Sequence, residues 1–80
     1  MTTEEIYAAL SEIFSEAFFR DDIDLRPELT AHDVDGWDSH KQVEIVMATE
    51  ERFGIRLTSR EINRLNRVGD LVALIQEKTS

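Results

Sequence analysis

Apolar residues recur near the start of the chain at the spacing of one helix face. In residues 3–19 the recurring set is Ile6, Tyr7, Leu10, Ile13, Phe14, Ala17 and Phe18. Intervals of three and four residues predict an amphipathic helix whose apolar side, aromatic rings included, packs into a core. Thr2 and Glu5 have the spacing of a capping box, so we expect the helix to begin directly after Thr2.

The helical period stops in residues 20–38, which are rich in turn and loop formers such as Asp21-Asp22, Pro27 and Asp35-Gly36. Four apolar residues are spaced through this segment, and we expect them to anchor it to the core: Ile23, Leu25, Leu29 and Val34. Ordered loops of this length are uncommon in small domains and are often functional.

The second half of the chain predicts three more helices. Residues 39–53 follow a good N-cap, Asp38, and precede Gly54, which suits the left-handed conformation that ends many helices. Residues 59–65 are expected to form a short third helix, and residues 68–78 the last one. The apolar positions expected on the buried faces of these helices are Val43, Val46, Met47, Phe53, Ile62, Leu65, Val68, Leu71, Val72 and Ile75.

These elements define the expected fold. Thr58 and Glu61 form a second capping box at the start of the third helix, and no segment alternates convincingly as a strand does. The expected fold is all-α: a four-helix bundle in one domain, residues 1–80, with a long loop between helices 1 and 2 and a short third helix.

Charge narrows the choice of partners. The net charge is −8, and residues 1–40 contribute −9 of it while residues 41–80 contribute +1. Such acidity disfavours nucleic acid and anionic lipid, and it favours basic protein surfaces, although it also serves plain solubility. No apolar stretch approaches the roughly 20 residues of a membrane span, and acidic residues stand where a signal peptide needs basic ones. We therefore expect a cytoplasmic monomer without membrane insertion.

One short run carries candidate chemistry. Gly36-Trp37-Asp38-Ser39 places a serine hydroxyl at the first position of the second helix, directly after the long loop. A helix N-terminus favours a bound phosphodiester through its free N–H groups and its macrodipole. Taken alone this signal is weak, because an Asp-Ser pair at a helix start is usually just a cap.

Six short segments share a pattern with one protein family. They are Gly36-Trp37-Asp38-Ser39, Val43-Glu44, Val46-Met47-Ala48, Glu50-Glu51, Phe53-Gly54-Ile55 and Arg67-Val68-Gly69-Asp70-Leu71-Val72. In this order and at these separations, they resemble the acyl and peptidyl carrier proteins.

The resemblance implies that Ser39 is the attachment point of a 4'-phosphopantetheine arm, with Asp38 as the adjoining motif residue and N-cap. In that family a phosphopantetheinyl transferase moves the arm from coenzyme A, and the terminal thiol then bears acyl groups for loading and processing enzymes. The chain has no cysteine, so a thioester would need an added thiol. A serine nucleophile would need an adjacent base, but the side chain of His40 points about 100° away from that of Ser39 on a helix. The resemblance thus implies a carrier and not an enzyme.

The second helix is the face that partner enzymes read in this family, and the residues expected to be recognised are Trp37, His40, Lys41, Glu44, Met47, Glu50 and Glu51. Three positions depart from the common pattern: His40, Lys41 and Thr49. A basic stripe is a further departure, and it consists of Arg56, Arg60, Arg64 and Arg67. These departures favour a specialised pathway over general fatty-acid synthesis.

The cargo's location stays open at this stage. A cleft for the acyl chain could be lined by Met47, Val43, Phe53, Ile62 and Ala73, or these residues could simply form core. Thr49 is a candidate for making the entrance of that cleft polar, which would disfavour long saturated chains. Trp37 is a candidate for contact with the arm, or for packing as a hydrophobic staple.

Other functions have less support in the sequence. Aligning Gly36 with the sixth position of a calcium-binding EF-hand loop puts Ala31 first and Gln42 last, where carboxylates are required. A loose divalent-ion site at Asp33, Asp35 and Asp38 competes with a solvated loop. His32 and His40 lack a second ligand cluster, so no metal is expected. A small helical adaptor without the modification is the alternative to the carrier.

Overall fold

The computed structural model of this protein describes residues 1–79, and it is all-α as predicted, with no strand in that range. The helices are α1 (Thr3–Phe18), α2 (Ser39–Phe53), α3 (Ser59–Asn63) and α4 (Val68–Thr79). A single 3₁₀ turn, Ala31–Asp33, interrupts the long connection between α1 and α2. α1 packs against both α2 and α4.

The predicted helix starts are confirmed by their caps. The Thr2 hydroxyl accepts a hydrogen bond from the Glu5 N–H at 3.1 Å, and the Glu5 carboxylate accepts one from the Thr2 N–H at 2.8 Å. α1 ends at Phe18, one residue before the predicted end, because Phe19 adopts the left-handed conformation (φ 55°) and closes the helix onto the Ser15 carbonyl. α2 ends at Phe53, and Gly54 (φ 64°) follows it as the left-handed cap, as predicted.

The core is built from the apolar face of α1 and the facing sides of α2 and α4. Its fully buried large side chains are Ile6, Leu10, Phe14, Ile45, Val68 and Ile75. Each contributes roughly 1.5–3 kcal/mol relative to an exposed position. The α1 and α4 faces are those that the periodicity predicted.

The predicted buried face of α2 is partly wrong. Val43 and Met47 are 59% and 63% exposed, while Ile45, Val46 and Thr49 are buried. Two apolar stripes fit the helical period of α2, and they differ by a rotation about the helix axis. The buried one includes Thr49, whose hydroxyl donates to the Ile45 carbonyl at 2.7 Å and is thereby satisfied inside the core.

The long loop is fixed to the start of α4. The Val68 N–H donates to the Leu29 carbonyl and the Gly69 N–H to the Pro27 carbonyl, both at 2.9 Å. A Cβ on Gly69 would lie 3.0 Å from the Pro27 carbonyl oxygen, so a larger residue here would require the loop to shift by a few tenths of an ångström. Leu29 and Val34 are buried as predicted. The two other predicted anchors, Ile23 and Leu25, are half-buried.

α3 is shorter than predicted and ends at Asn63, since Arg64 and Leu65 form a turn. Its predicted capping box is present: the Thr58 N–H donates to Glu61 at 2.9 Å, and the Glu61 N–H donates to the Thr58 hydroxyl at 3.2 Å. Glu61 also pairs with Lys78 of α4 at 3.0 Å. The two apolar side chains expected to be buried here, Ile62 and Leu65, are only half-buried.

Candidate functional site

Ser39 is the first residue of α2, and its side chain is exposed. Asp38 precedes it as the N-cap, accepting a hydrogen bond from the Lys41 N–H at 2.9 Å. That bond holds the pKa of the Asp38 carboxyl below its ordinary value. The Ser39 hydroxyl makes no hydrogen bond to another residue in 1–79. The cap therefore fixes the helix start while leaving the hydroxyl free.

The surroundings of Ser39 do not activate it as a nucleophile. His40 is exposed and follows Ser39 on the helix. Neither His40 nor His32 forms a hydrogen bond with Ser39 within the described range. An activated serine needs a base held against its hydroxyl by a third group. The local geometry suits a serine that is modified by another protein.

Trp37 is a packing residue. Its ring meets Phe14 edge-on at 5.2 Å between centroids, and it meets Phe18 at 6.2 Å. Its Nε1–H donates to the Gln42 side-chain oxygen at 2.8 Å. The half-buried Trp37 thus joins the end of the loop to α1 and to the first turns of α2, which favours the packing interpretation of this residue.

Lys41 also turns inward, although the sequence placed it on the partner face. Its ammonium donates to the Ala17 carbonyl at the end of α1 and pairs with Glu44 at 2.9 Å. It lies 5.7 Å and 5.9 Å from the ring centroids of Phe18 and Phe19. A cation at a helix C-terminus stabilises the unpaired carbonyl groups there. Lys41 therefore ties the start of α2 to the end of α1.

The remaining predicted partner residues divide into two groups. His40, Glu44, Met47 and Glu51 are exposed along α2. Glu50 is half-buried, and its carboxylate accepts a hydrogen bond from the Leu57 N–H at 2.8 Å, so it supports the segment that leads into α3. Sequence reasoning missed Val43 as a surface residue. Its exposed side chain lies one helical turn from Met47. The alternative stripe through Ile45 and Thr49, if taken as the buried face, would have placed Val43 on the surface.

An open groove begins at Ser39 and runs between α2 and α3. This Ser39 groove is lined by Ala31, Trp37, Asp38, Ser39, Gln42, Ile62, Asn63 and Leu65. It borders a small inner cavity of about 50 Å³, whose lining includes the core residues Ile45, Val46, Leu65, Val68 and Leu71 and, at the surface, Asn66 and Arg67. One water molecule needs roughly 10–15 Å³ on the same measure, so the cavity has room for only a few water molecules.

The cleft predicted for an acyl chain differs from this cavity. Val43, Met47 and Ala73 are exposed, and none of the three lines the groove or the cavity. Phe53 packs half-buried against the core, and Ile62 alone of the predicted set lines the Ser39 groove. Thr49 lies away from the entrance and is fully buried, so the expectation of a polar entrance formed by Thr49 was wrong.

Two of the three acidic residues of the candidate ion site, Asp33 and Asp38, have structural partners. Asp33 accepts hydrogen bonds from the Thr30 N–H and hydroxyl at 3.0 Å and 3.1 Å, and the backbone bond is the main cause of its lowered pKa. Asp38 caps α2. Among residues 1–79 no group of three or more histidine or acidic side chains is placed to hold a metal ion. Nor is any helix of that range long and apolar enough to cross a membrane.

A family model described as the phosphopantetheine attachment site matches residues 8–75, which is most of the chain and includes the Ser39 groove. The chain belongs to the acyl carrier protein family. Proteins of this family are carriers, modified by phosphopantetheinyl transferases, that serve biosynthetic enzymes.

Relatives agree over nearly the whole chain. An acyl carrier protein of Acidothermus cellulolyticus is 38% identical over 79 residues, covering 99% of this chain and 94% of the relative. A meromycolate extension acyl carrier protein of Mycolicibacterium smegmatis is 37% identical, covering 95% and 77%. The solution NMR structure of the holo acyl carrier protein of Geobacter metallireducens superposes with a TM-score of 0.84 at 35% identity, covering 89% and 82%.

The cofactor of this acyl carrier protein is covalently attached 4'-phosphopantetheine. The residues at the start of α2 fit such a group, because a free hydroxyl stands at a helix N-terminus and opens onto a groove lined by both apolar and polar side chains. The amide side chains of Gln42 and Asn63 in that groove offer hydrogen-bonding groups to a polar chain. The thiol of the bound arm supplies the thioester chemistry that the chain itself lacks.

Proposed function

We propose that the 80-residue chain is a single acyl carrier domain that bears its phosphopantetheine arm on Ser39 and works as a cytoplasmic monomer. The observation that carries the proposal is the exposed, unbonded Ser39 hydroxyl at the mouth of the groove, inside the matched family region. Asp38 holds the helix start by accepting the Lys41 N–H. The arm then presents acyl groups, as thioesters, to the loading and processing enzymes.

The direct test is the intact mass of the purified protein after incubation with coenzyme A and a promiscuous phosphopantetheinyl transferase. We expect the wild type to gain the mass of one phosphopantetheine group and Ser39→Ala to gain nothing. Ser59→Ala is the matched control, since Ser59 is also an exposed first residue of a helix. No gain by the folded wild type would favour the adaptor.

The pathway is a finer proposal. We propose a dedicated biosynthetic pathway, since His40 is exposed beside Ser39 and all four arginines of the basic stripe around α3 are exposed. Cargo held mainly outside the core would agree with the small inner cavity of about 50 Å³. The test compares the loading of this protein by general fatty-acid enzymes with its loading by enzymes encoded beside its gene. Equal efficiency of the two would contradict the proposal.

A further inference from the structure

The basic residues of this acidic protein divide into two classes. Six of the nine Lys and Arg side chains form ion pairs with carboxylates. The pairs are Arg20–Asp22, Arg26–Glu28, Lys41–Glu44, Arg52–Glu12, Arg67–Asp70 and Lys78–Glu61. The three others, Arg56, Arg60 and Arg64, form no side-chain ion pair or hydrogen bond within residues 1–79. We call these three residues the arginine face.

The lack of pairing is notable because the chain has 17 acidic residues. Arg60 and Arg64 lie one helical turn apart, where like charges repel. The one carboxylate of α3, Glu61, accepts the Thr58 N–H and pairs with Lys78 instead of neutralising either arginine. Positive charge therefore stays exposed around α3, although Arg64 shares an open groove with the carboxylates Glu61, Asp70 and Glu77.

The arginine face adjoins the surfaces that the carrier function uses. α3 forms one wall of the Ser39 groove through Ile62 and Asn63. Arg56 lines a second open groove together with Met47, Glu50 and Glu51 of α2. A protein that reaches a group carried on Ser39 and touches α2 would therefore come within reach of α3.

We infer that Arg56, Arg60 and Arg64 form a docking surface for a carboxylate-rich patch on a partner protein that handles the carried group; the identity of this partner rests on the proposed function. Guanidinium groups suit this role because they bind carboxylates through two parallel hydrogen bonds. A discrete acidic patch fits better than an extended polyanion. The rest of a chain with net charge −8 would repel a bilayer or a nucleic acid that reached beyond these three residues.

The surface is tested by NMR titration of the ¹⁵N-labelled holo protein with a synthetic helical peptide whose glutamates recur once per turn. We expect shifts confined to residues 54–64, absent with the same peptide carrying glutamines and weakened by salt. The double variant Arg60→Gln/Arg64→Gln should lose about threefold or more in affinity. The double variant Arg20→Gln/Arg26→Gln changes the charge equally at paired arginines, and it should bind like the wild type.

Three outcomes would overturn the inference. They are equal shifts at the paired arginines, equal binding by both double variants, and stronger binding of phosphatidylglycerol vesicles or a single-stranded DNA oligonucleotide than of the peptide. The titration is repeated on Ser39→Ala, which cannot be loaded through Ser39. Binding there should be unchanged, so failure of the docking surface and failure of the attachment site are distinguishable.

Discussion

The starts of α2 and α3 have the same local design and different surroundings. In each, a capping side chain accepts the N–H of the third helical residue, from Lys41 to Asp38 at 2.9 Å and from Glu61 to Thr58 at 3.2 Å. In each, an exposed serine occupies the first helical position. A cap followed by serine is therefore not sufficient to mark a modification site.

The third helical residue separates the two starts. Glu61 folds back onto the Thr58 N–H, so the carboxylate of the α3 start stands at the third helical position, whereas the carboxylate of the α2 start is the cap itself, Asp38. Lys41 instead directs its ammonium to the end of α1, and no acidic residue follows the cap in the first turn of α2. The α2 start is also the one that opens onto the Ser39 groove and heads a helix of 15 residues, compared with five in α3.

A substitution at Gly69 should separate the two helix starts most strongly. Gly69 fixes the loop that leads to α2, and it does not fix the segment that leads to α3. In Gly69→Ala the new methyl group would lie 3.0 Å and 3.2 Å from the carbonyl oxygen and Cα of Pro27, backbone atoms that cannot rotate away. We expect the free energy of unfolding to fall by about 1–2 kcal/mol, after allowing for the better helix propensity of alanine. Urea denaturation measures this loss.

Amide exchange in Gly69→Ala should locate the damage. Protection should fall at the amides of positions 68 and 69, which donate to the loop, and within residues 28–34, and it should stay unchanged at the start of α3. Gly54→Ala is the control, because Gly54 has open space around it but a positive φ of 64°, so its strain should stay at the end of α2. An unchanged stability of Gly69→Ala would show that the loop moves aside freely.

Much of this architecture could be predicted from the sequence because it depends on local rules. Residues within four positions of one another determine the caps at Thr2, Asp38 and Thr58 and the end of α2 before Gly54. The Val68-Gly69-Asp70 segment could be matched to the carrier family, but its physical reason, the close approach of Pro27, is visible only in the structure.

The errors concern the direction of the core and the partners that a side chain finds outside its own helix. Lys41 and Glu50 look like surface charges, yet their partners are the Ala17 carbonyl and the Leu57 N–H. The face of α2 was misassigned because the period alone allows two rotations, and Thr49 counts as polar until its hydroxyl bonds the Ile45 carbonyl. Periodicity gives the spacing of a buried stripe but not the direction of the core.

Removing the cap of α3 should have a smaller effect on stability than the substitution at Gly69. Thr58→Ala removes the side chain that accepts the Glu61 N–H, and the loss should be about 0.5–2 kcal/mol. Because α3 has five residues, we expect local opening, seen as faster amide exchange in residues 61–64. Ser59→Ala, at the next position, should change stability by less than about 0.5 kcal/mol. Equal effects of the two variants would mean that the capping bond contributes nothing.

The smallest effect is the pH dependence of the two caps. The Lys41 N–H lowers the pKa of Asp38, and the Thr58 N–H, followed by Lys78, lowers that of Glu61. Each pKa is lower in the folded state, so each carboxylate stabilises the fold above its unfolded pKa, about 4, and the gain disappears as the pH falls through the lowered value.

Asp38→Asn keeps a good cap without a titrating group, so its stability should fall less steeply than that of the wild type below about pH 4. Glu61→Gln should also flatten the acid side, but it should weaken the protein at neutral pH because the ion pair with Lys78 is lost. Urea denaturation across the pH range measures both slopes. If Asp38→Asn follows the wild-type curve, the charge at the α2 start adds nothing to folding, and the value of Asp38 lies only in its geometry beside Ser39.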